Sequence, residues 1–216
     1  MNKIKKGLKK NNSIKKLLKD FWYLLWKDDS FKGWIFSVIF LFIFIRFVFF
    51  PFLILITGTP IPLAIVESCS MHHTGGLFSS LDSWWENREE TYSHFDIDKE
   101  DFLDFSLKRG FTKGDILFVI RANPEKLEVG DVIIFDANQR YPIIHRIVEI
   151  KEVEGKRVFS TFGDNYLTNP QQLNFEKNIP EENVLGKAAF KIVPYAGWVK
   201  LIFYEWQKGA EQRGFC

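Results

Sequence analysis

A single run of apolar residues, Trp34 to Ile56, sets the first limit on how this chain can fold. It is 23 residues long and is interrupted only by Ser37, Arg46 and Pro51. At 1.5 Å per residue that is enough helix to cross a hydrocarbon layer of about 30 Å. A secretory signal peptide would place a shorter apolar core near residue 10, followed by a small-residue cleavage site. Neither is present, so the run is expected to remain as a transmembrane anchor over 34–56. Arg46 inside it costs about 2.5–3.5 kcal/mol on insertion scales, which the surrounding Phe, Ile, Leu and Val side chains offset and snorkelling relieves.

Charge gives the anchor a direction. Residues 1–33 hold ten Lys and three Asp, a balance of +7, whereas residues 57–216 hold 18 basic and 24 acidic residues, a balance of −6. Lysines placed directly before a spanning helix keep that end in the cytoplasm, which puts residues 57–216 on the far side. A basic tail can also mark nucleic-acid binding, but nothing else in the chain supports that, and no nucleic-acid partner is expected. From Ile14 to Leu25 apolar residues recur at helical spacing opposite lysines. That pattern fits an amphipathic helix on the cytoplasmic lipid surface, and equally an upstream extension of the spanning helix. Residues 1–12 look too polar to fold alone, and Asp28, Asp29 and Ser30 break the pattern before the anchor.

Beyond the anchor, β-type runs at 63–66, 115–120, 131–135, 143–150, 157–162 and 184–193 are separated by turn signals, which predicts a mainly β domain over 57–216. Residues 77–110 are the exception and read as a small helical insertion. Within it 82–92 and 99–108 look helical, with Asp98 as N-cap and Gly110 as stop. Residues 195–206 are rich in Trp and Tyr, which suits a membrane-interface helix or a helix packed on its own domain. The two cysteines, Cys69 and Cys216, do not suggest a disulfide by position.

Few residues offer chemistry. Ser70 follows an apolar strand, and Ser68, two residues earlier, projects to the same side if the strand continues. A serine becomes a nucleophile only when a base takes its proton and donors hold the oxyanion. Of the four histidines, His145 lies in an apolar strand, where a core or rim position is the ordinary reading. A catalytic His also needs an orienting carboxylate. Three Gly-Asp pairs supply candidates at Asp115, Asp131 and Asp164, although Gly-Asp is first a turn signal. A metal site among His72, His73, His94, Asp96 and Asp98 is the alternative, but no HExxH or paired-cysteine spacing accompanies it.

In order, an N-terminal span, Ser68-Cys69-Ser70-Met71, Gly130-Asp131-Val132-Ile133, His145-Arg146 and Gly163-Asp164-Asn165 resemble type I signal peptidases. The histidine before arginine resembles the archaeal and endoplasmic-reticulum branch rather than the Ser-Lys bacterial one. The resemblance implies a signal-peptidase-like β catalytic domain in which Ser70 is the nucleophile and His145 the base. It makes Asp164 the orienting acid, Ser68 and the Ser70 N–H the oxyanion hole, and Asp131 structural.

No cofactor or metal is implied. The substrates would be precursor proteins with signal peptides, cut after small residues as they leave the protein translocation channel. The site of action would be the cell membrane, or the endoplasmic-reticulum membrane in a eukaryote. A membrane-anchored binding or scaffold module of the same fold is the rival reading. Three departures stand out: Cys69 where the family usually has glycine, His72-His73 after the methionine, and Thr168-Asn169-Pro170 where a second acid is common.

Overall fold

The computed structural model describes residues 2–74, 81–209 and 213–216, with side chains from residue 14 onward. The chain forms two compact units, Met1–Leu53 and Ile54–Cys216.

In the first unit, α1 (Asn2–Trp26) and α2 (Phe31–Phe44) form an antiparallel hairpin. The turn is made by Asp28, which accepts from the Ser30 N–H at 2.9 Å, and by Ser30, which caps α2 by accepting from the Gly33 N–H at 3.2 Å. Helix α1 is therefore not an extension of the apolar helix. It folds back so that Phe21 packs edge-on against Phe36 and Phe40, and the Ser37 hydroxyl donates to the Leu25 carbonyl. Helical structure starts at Asn2, earlier than the polar sequence suggests. Once a helix is nucleated, each further residue adds a hydrogen bond at little cost.

The apolar helix runs from Phe31 to Thr57, 27 residues with a mean hydropathy of 2.9 over its best window, so it is long and apolar enough to cross a membrane. It includes a π-helical turn, Ile45–Phe49, before α3 (Phe50–Thr57). Pro51 accounts for that turn. It has no N–H to donate and its ring crowds the carbonyl four residues back, and a local i→i+5 pattern relieves the clash.

In the second unit one antiparallel sheet carries seven strands: β1 (Leu63–Ile65), β2 (Ile116–Ile120), β3 (Val132–Phe135), β4 (Ile143–Val153), β5 (Lys156–Phe162), β6 (Ile179–Pro180) and β7 (Val184–Val193). Their spatial order is β1-β2-β7-β3-β4-β5-β6. The mainly β expectation is met, and β6 is a short strand that the sequence pattern does not reveal. Bulges in the β2–β7 and β4–β5 pairings bend the sheet, as extra residues on one strand do. On one side of β3 and β4, Ile133, Phe135 and Ile147 pack with Leu127, Phe159 and Ile179. On the other side Val132 packs with Val66, Met71, Phe111 and Leu117.

The inserted segment is helical in shorter pieces than the periodicity suggests: α4 (Leu81–Trp85), α5 (Glu89–Ser93) and α6 (Lys99–Asp104). The predicted 77–80 part lies outside the described residues. Asp98 caps α6 in a reciprocal capping box with Asp101. The break between α4 and α5 puts Trp84, Trp85 and Tyr92 into one buried cluster with Phe102, Val148 and Phe162. A continuous helix would carry Arg88 away from the carbonyls it binds.

At the far end, α7 (Trp198–Leu201) turns Trp198 and Leu201 onto the domain, with the Trp198 indole N–H donating to the Lys113 carbonyl at 3.1 Å. Val199, Ile202, Phe203 and Trp206 stay exposed. Gly114, at φ +91°, leaves no room at this contact, because a Cβ there would lie 2.1 Å from the Trp198 ring. Gly114→Ala is therefore expected to cost about 1–3 kcal/mol through overpacking and backbone strain. Chemical denaturation of the two proteins at neutral pH checks this.

Candidate active site

The segment after β1 makes a tight turn, closed by the His72 N–H donating to the Cys69 carbonyl at 3.0 Å. The hydroxyls of Ser68 and Ser70 come to 3.2 Å of each other, so the two serines present their side chains to a shared space. The turn is held from behind by Asn165. Its backbone N–H donates to the Ser70 carbonyl at 2.8 Å, and its side-chain amide donates to the Cys69 carbonyl at 2.8 Å.

Asp164, one residue before Asn165, is fully buried at the centre of a polar cluster. One oxygen accepts from the Tyr92 hydroxyl at 2.8 Å and from Arg146 Nε at 3.1 Å. The other faces Arg146 Nη2 at 2.7 Å and His73 Nε2 at 3.0 Å. Burial alone would push the Asp164 carboxyl up, but the charge and hydrogen bonds of Arg146, together with His73, hold it far below the usual carboxylate range. Burial pushes the Tyr92 hydroxyl well above its ordinary value, and the neighbouring Asp164 charge adds to this. The Arg146 guanidinium also donates to the carbonyls of Gly130 at 2.8 Å and Ser106 at 2.7 Å.

The inserted helices close over this cluster. Arg88 donates to the backbone carbonyls of Gly163 at 2.6 Å, Asn169 at 2.8 Å and Asp164 at 3.1 Å, and its guanidinium lies 4.5 Å from the Phe162 ring centre. The Trp84 indole N–H donates to the Asp164 carbonyl at 3.1 Å, and His73 stacks flat on Trp84 at 3.8 Å. Gly163 is required by the closeness of Asn169, whose amide would meet a Cβ at 2.7 Å.

His145 sits on β4 opposite Ile133 and is buried. Its carboxylate neighbour is not Asp164. Both Asp164 oxygens are occupied as above, and the acid beside the His145 ring is Glu176, with Oε1 at 2.5 Å from Nδ1. The ring N–H is not aligned on that oxygen, so this is a close approach rather than a well-directed hydrogen bond, and neither atom has another hydrogen-bond partner. The expectation that Asp164 orients His145 is thus corrected. Arg146, next to His145 on the strand, has taken Asp164 instead. Among the described residues no hydrogen bond joins Ser70 to His145. They are linked through their neighbours: Arg146, next to His145, grips Asp164, and Asn165, next to Asp164, grips Ser70.

Asp131 and Asp115 serve turns. Asp131 accepts from the Glu128 N–H at 3.1 Å and pairs with Lys187 at 2.6 Å, while Asp115 accepts from the Thr112 N–H at 2.9 Å and the Tyr195 N–H at 3.1 Å. No group of three or more His, Cys, Asp or Glu suited to a metal ion is found among the described residues.

Cys69 and Cys216 form a disulfide with Cα atoms 5.5 Å apart, contrary to the sequence reading. Their separation of 147 residues hides the pair, which the sheet brings together. The bond seats Phe215 against Trp198, with ring centres 4.3 Å apart, beside the serine turn.

No family model matches the chain. Its homologues are catalytic subunits of the signal peptidase complex. It is 29% identical to the human subunit SEC11C over 110 residues, 49% of this chain and 57% of that protein. It is 31% identical to SEC11 of Lachancea thermotolerans over 105 residues, 46% of this chain and 61% of that protein, and 29% identical to SEC11 of Lodderomyces elongisporus over 106 residues. The chain thus spans less than two thirds of the length of the curated relatives it matches. The likeness to the eukaryotic branch of type I signal peptidases agrees with the mainly β sheet and the order of the serine, histidine and Gly-Asp-Asn segments along it.

Two stability outcomes follow from the buried bonds. Asp164→Asn strands the Arg146 charge in the interior, which is expected to cost about 3–5 kcal/mol at pH 7. Because the folded-state pKa of Asp164 is depressed far below pH 3, its contribution is complete above the unfolded value of about 3.9, begins to fall below it and is gone only below the folded value. Thermal melts between pH 7 and pH 3 should therefore show the gap between wild type and variant narrowing at low pH without closing. Reducing the Cys69–Cys216 bond should lower stability by about 2–5 kcal/mol, as loss of a long-loop crosslink does, and melts with and without reductant measure it.

Proposed function

We propose that this chain is a membrane-anchored serine endopeptidase that removes N-terminal signal peptides from secreted precursors, cleaving after small residues. The observation that carries the reading is the Ser68–Ser70 turn braced by Asn165, next to Asp164, which Arg146 holds beside His145 on β4. The homology to signal peptidase catalytic subunits supports it.

In the proposed reaction His145 accepts the Ser70 hydroxyl proton as Oγ bonds to the scissile carbonyl carbon. The Ser70 backbone N–H and the Ser68 hydroxyl donate to the oxyanion, in the way such donors stabilise charge that develops at the transition state. The tetrahedral intermediate then collapses, the C–N bond breaks, and the proton held by His145 passes to the leaving amine of the mature protein. Water, deprotonated by the same histidine, hydrolyses the acyl-serine and releases the signal peptide. The Ser–His hydrogen bond forms as substrate enters, since such contacts are commonly long before substrate binds. Asp164 acts by keeping the Asn165 brace in place.

The substrate is an extended chain added to the sheet. Among the described residues β1 pairs only with β2, and this edge strand leads directly into Ser68 and Ser70. Backbone pairing along such an edge supplies affinity, and small side-chain pockets supply selection.

The Phe31–Thr57 helix spans the bilayer, with its lysine-rich leading segment cytoplasmic and the β domain outside. The partners are signal-peptide precursors, membrane lipid and the translocation channel that delivers the precursors. By the relatives' description, further subunits of a signal peptidase complex join them.

The test is cleavage of a secretory precursor by the purified chain in detergent. Wild type is expected to cut after a small residue and to be indifferent to chelators. Ser70→Ala and His145→Ala should each lower the rate by at least about 10³-fold. Full activity in the Ser70→Ala protein would remove the serine mechanism, and a folded wild type that binds precursor without cutting it would favour the scaffold reading.

A further inference from the structure

We infer that Glu176 is the residue that orients His145, in place of the acid that sequence order assigns to that task. This rests on the reading of Ser70 and His145 as nucleophile and base. Glu176 is fully buried, in a short turn, Asn174–Glu176, between β5 and β6. A carboxylate with no solvent contact is held there only if its oxygens are used. One of them is, because Oε2 accepts from the Leu173 backbone N–H at 2.5 Å. The other, Oε1, has one polar neighbour, Nδ1 of His145 at 2.5 Å, and that nitrogen in turn has no other partner.

Two buried polar atoms, each otherwise orphaned, therefore face one another across strand β4. The cluster on this side of β3 and β4, with Ile133, Phe135, Ile147, Phe159 and Ile179, is apolar, and the buried Thr161 hydroxyl on β5, opposite Ile147, makes no hydrogen bond to either atom. Asp164 is unavailable, since Arg146, Tyr92 and His73 take both of its oxygens.

A carboxylate at Nδ1 fixes the proton on that nitrogen and leaves Nε2 unprotonated, the form that can receive a proton from a serine hydroxyl. When His145 holds that proton, the Glu176 charge stabilises the imidazolium. Glu176 acts through the histidine and is a positioning residue.

The experiment uses the full chain in detergent with histidine ring nitrogens labelled for NMR, the His145 signals being assigned by their loss in His145→Ala. In the wild type His145 is expected in a single Nδ1–H tautomer. Glu176→Gln should give mixed or reversed tautomers and lower kcat for precursor cleavage by about 10³- to 10⁴-fold, as loss of the orienting carboxylate does in other serine proteases. KM should change little. Glu176→Asp, which keeps the charge on a shorter arm, should recover part of kcat. Asp164→Asn should leave the His145 tautomer as it is.

Full kcat in Glu176→Gln, or an unchanged tautomer with activity lost only in proportion to folded protein, overturns the proposal. Wild-type His145 carrying its proton on Nε2 overturns it too, without reference to activity. A Ser70→Ala control run beside these separates the two readings. An inactive Ser70→Ala with a fully active Glu176→Gln removes Glu176 alone, whereas an active Ser70→Ala removes the serine mechanism on which the proposal rests.

Discussion

The buried pairing of Asp164 with Arg146 is the contact on which the rest of the β domain depends. Taking two opposite charges out of water costs several kcal/mol per ion, and their attraction repays this only when the geometry is good and the remaining hydrogen-bond sites are filled. Here both conditions hold. Arg146 meets the carboxylate with Nε and Nη2, while Nη1 donates to the carbonyls of Gly130 and Ser106 and Nη2 also to that of Leu107. The four contacts to Asp164 come from β4, from α5 and from the chain just after Ser70. The pair thus joins the turn before β3, the end of the helical insertion and the serine turn in one saturated network, and none of these can move without exposing a buried charge.

The insertion gains a physical purpose from the same network. Residues 163–169 return from β5 with carbonyls pointing inward, and a loop with buried unpaired carbonyls would be unstable. Arg88 supplies three hydrogen bonds to them and Trp84 a fourth. Burial lowers the pKa of Arg88, but arginine begins so far above neutrality that it remains a cation. The aromatic residues around it, Trp84, Trp85, Tyr92 and Phe102, bury the apolar area that holds the helices in place. Asn165 extends from this braced loop to the carbonyls of Cys69 and Ser70, so rigidity gained at the insertion reaches Ser70 through one residue.

Much of this was legible in the sequence where the cause is local. Alternating apolar runs marked the long strands, glycine before aspartate marked the turns at Asp115 and Asp131, and Asp98 marked a helix start. What escaped the sequence depends on tertiary contact. Strand β6 is two residues long, too short to show a period. The break between α4 and α5 follows from what Arg88 must reach, which no local pattern encodes. Cys69 and Cys216 meet only because the sheet folds the chain end onto the serine turn. Glu176 lies in a stretch with no motif at all, 31 residues beyond His145, and only the return of the chain from β5 to β6 sets its carboxylate against the ring.

The pleat of β4 explains why the acid that the motif order sets beside His145 lies beside Arg146 instead. His145 and Arg146 are adjacent, so their side chains leave the strand on opposite faces. Arg146 enters the polar cluster of Asp164, and His145 enters the apolar face beside Ile133 and Ile147, where Glu176 waits. A motif read as letters treats His-Arg as one unit and looks for one acid. The strand makes it two units that leave on opposite faces, and each meets its own carboxylate, Asp164 for Arg146 and Glu176 for His145. With Thr168-Asn169-Pro170 supplying no acid, the second carboxylate has to arrive from elsewhere in the loop, and Glu176 is the one that the packing around β6 turns inward.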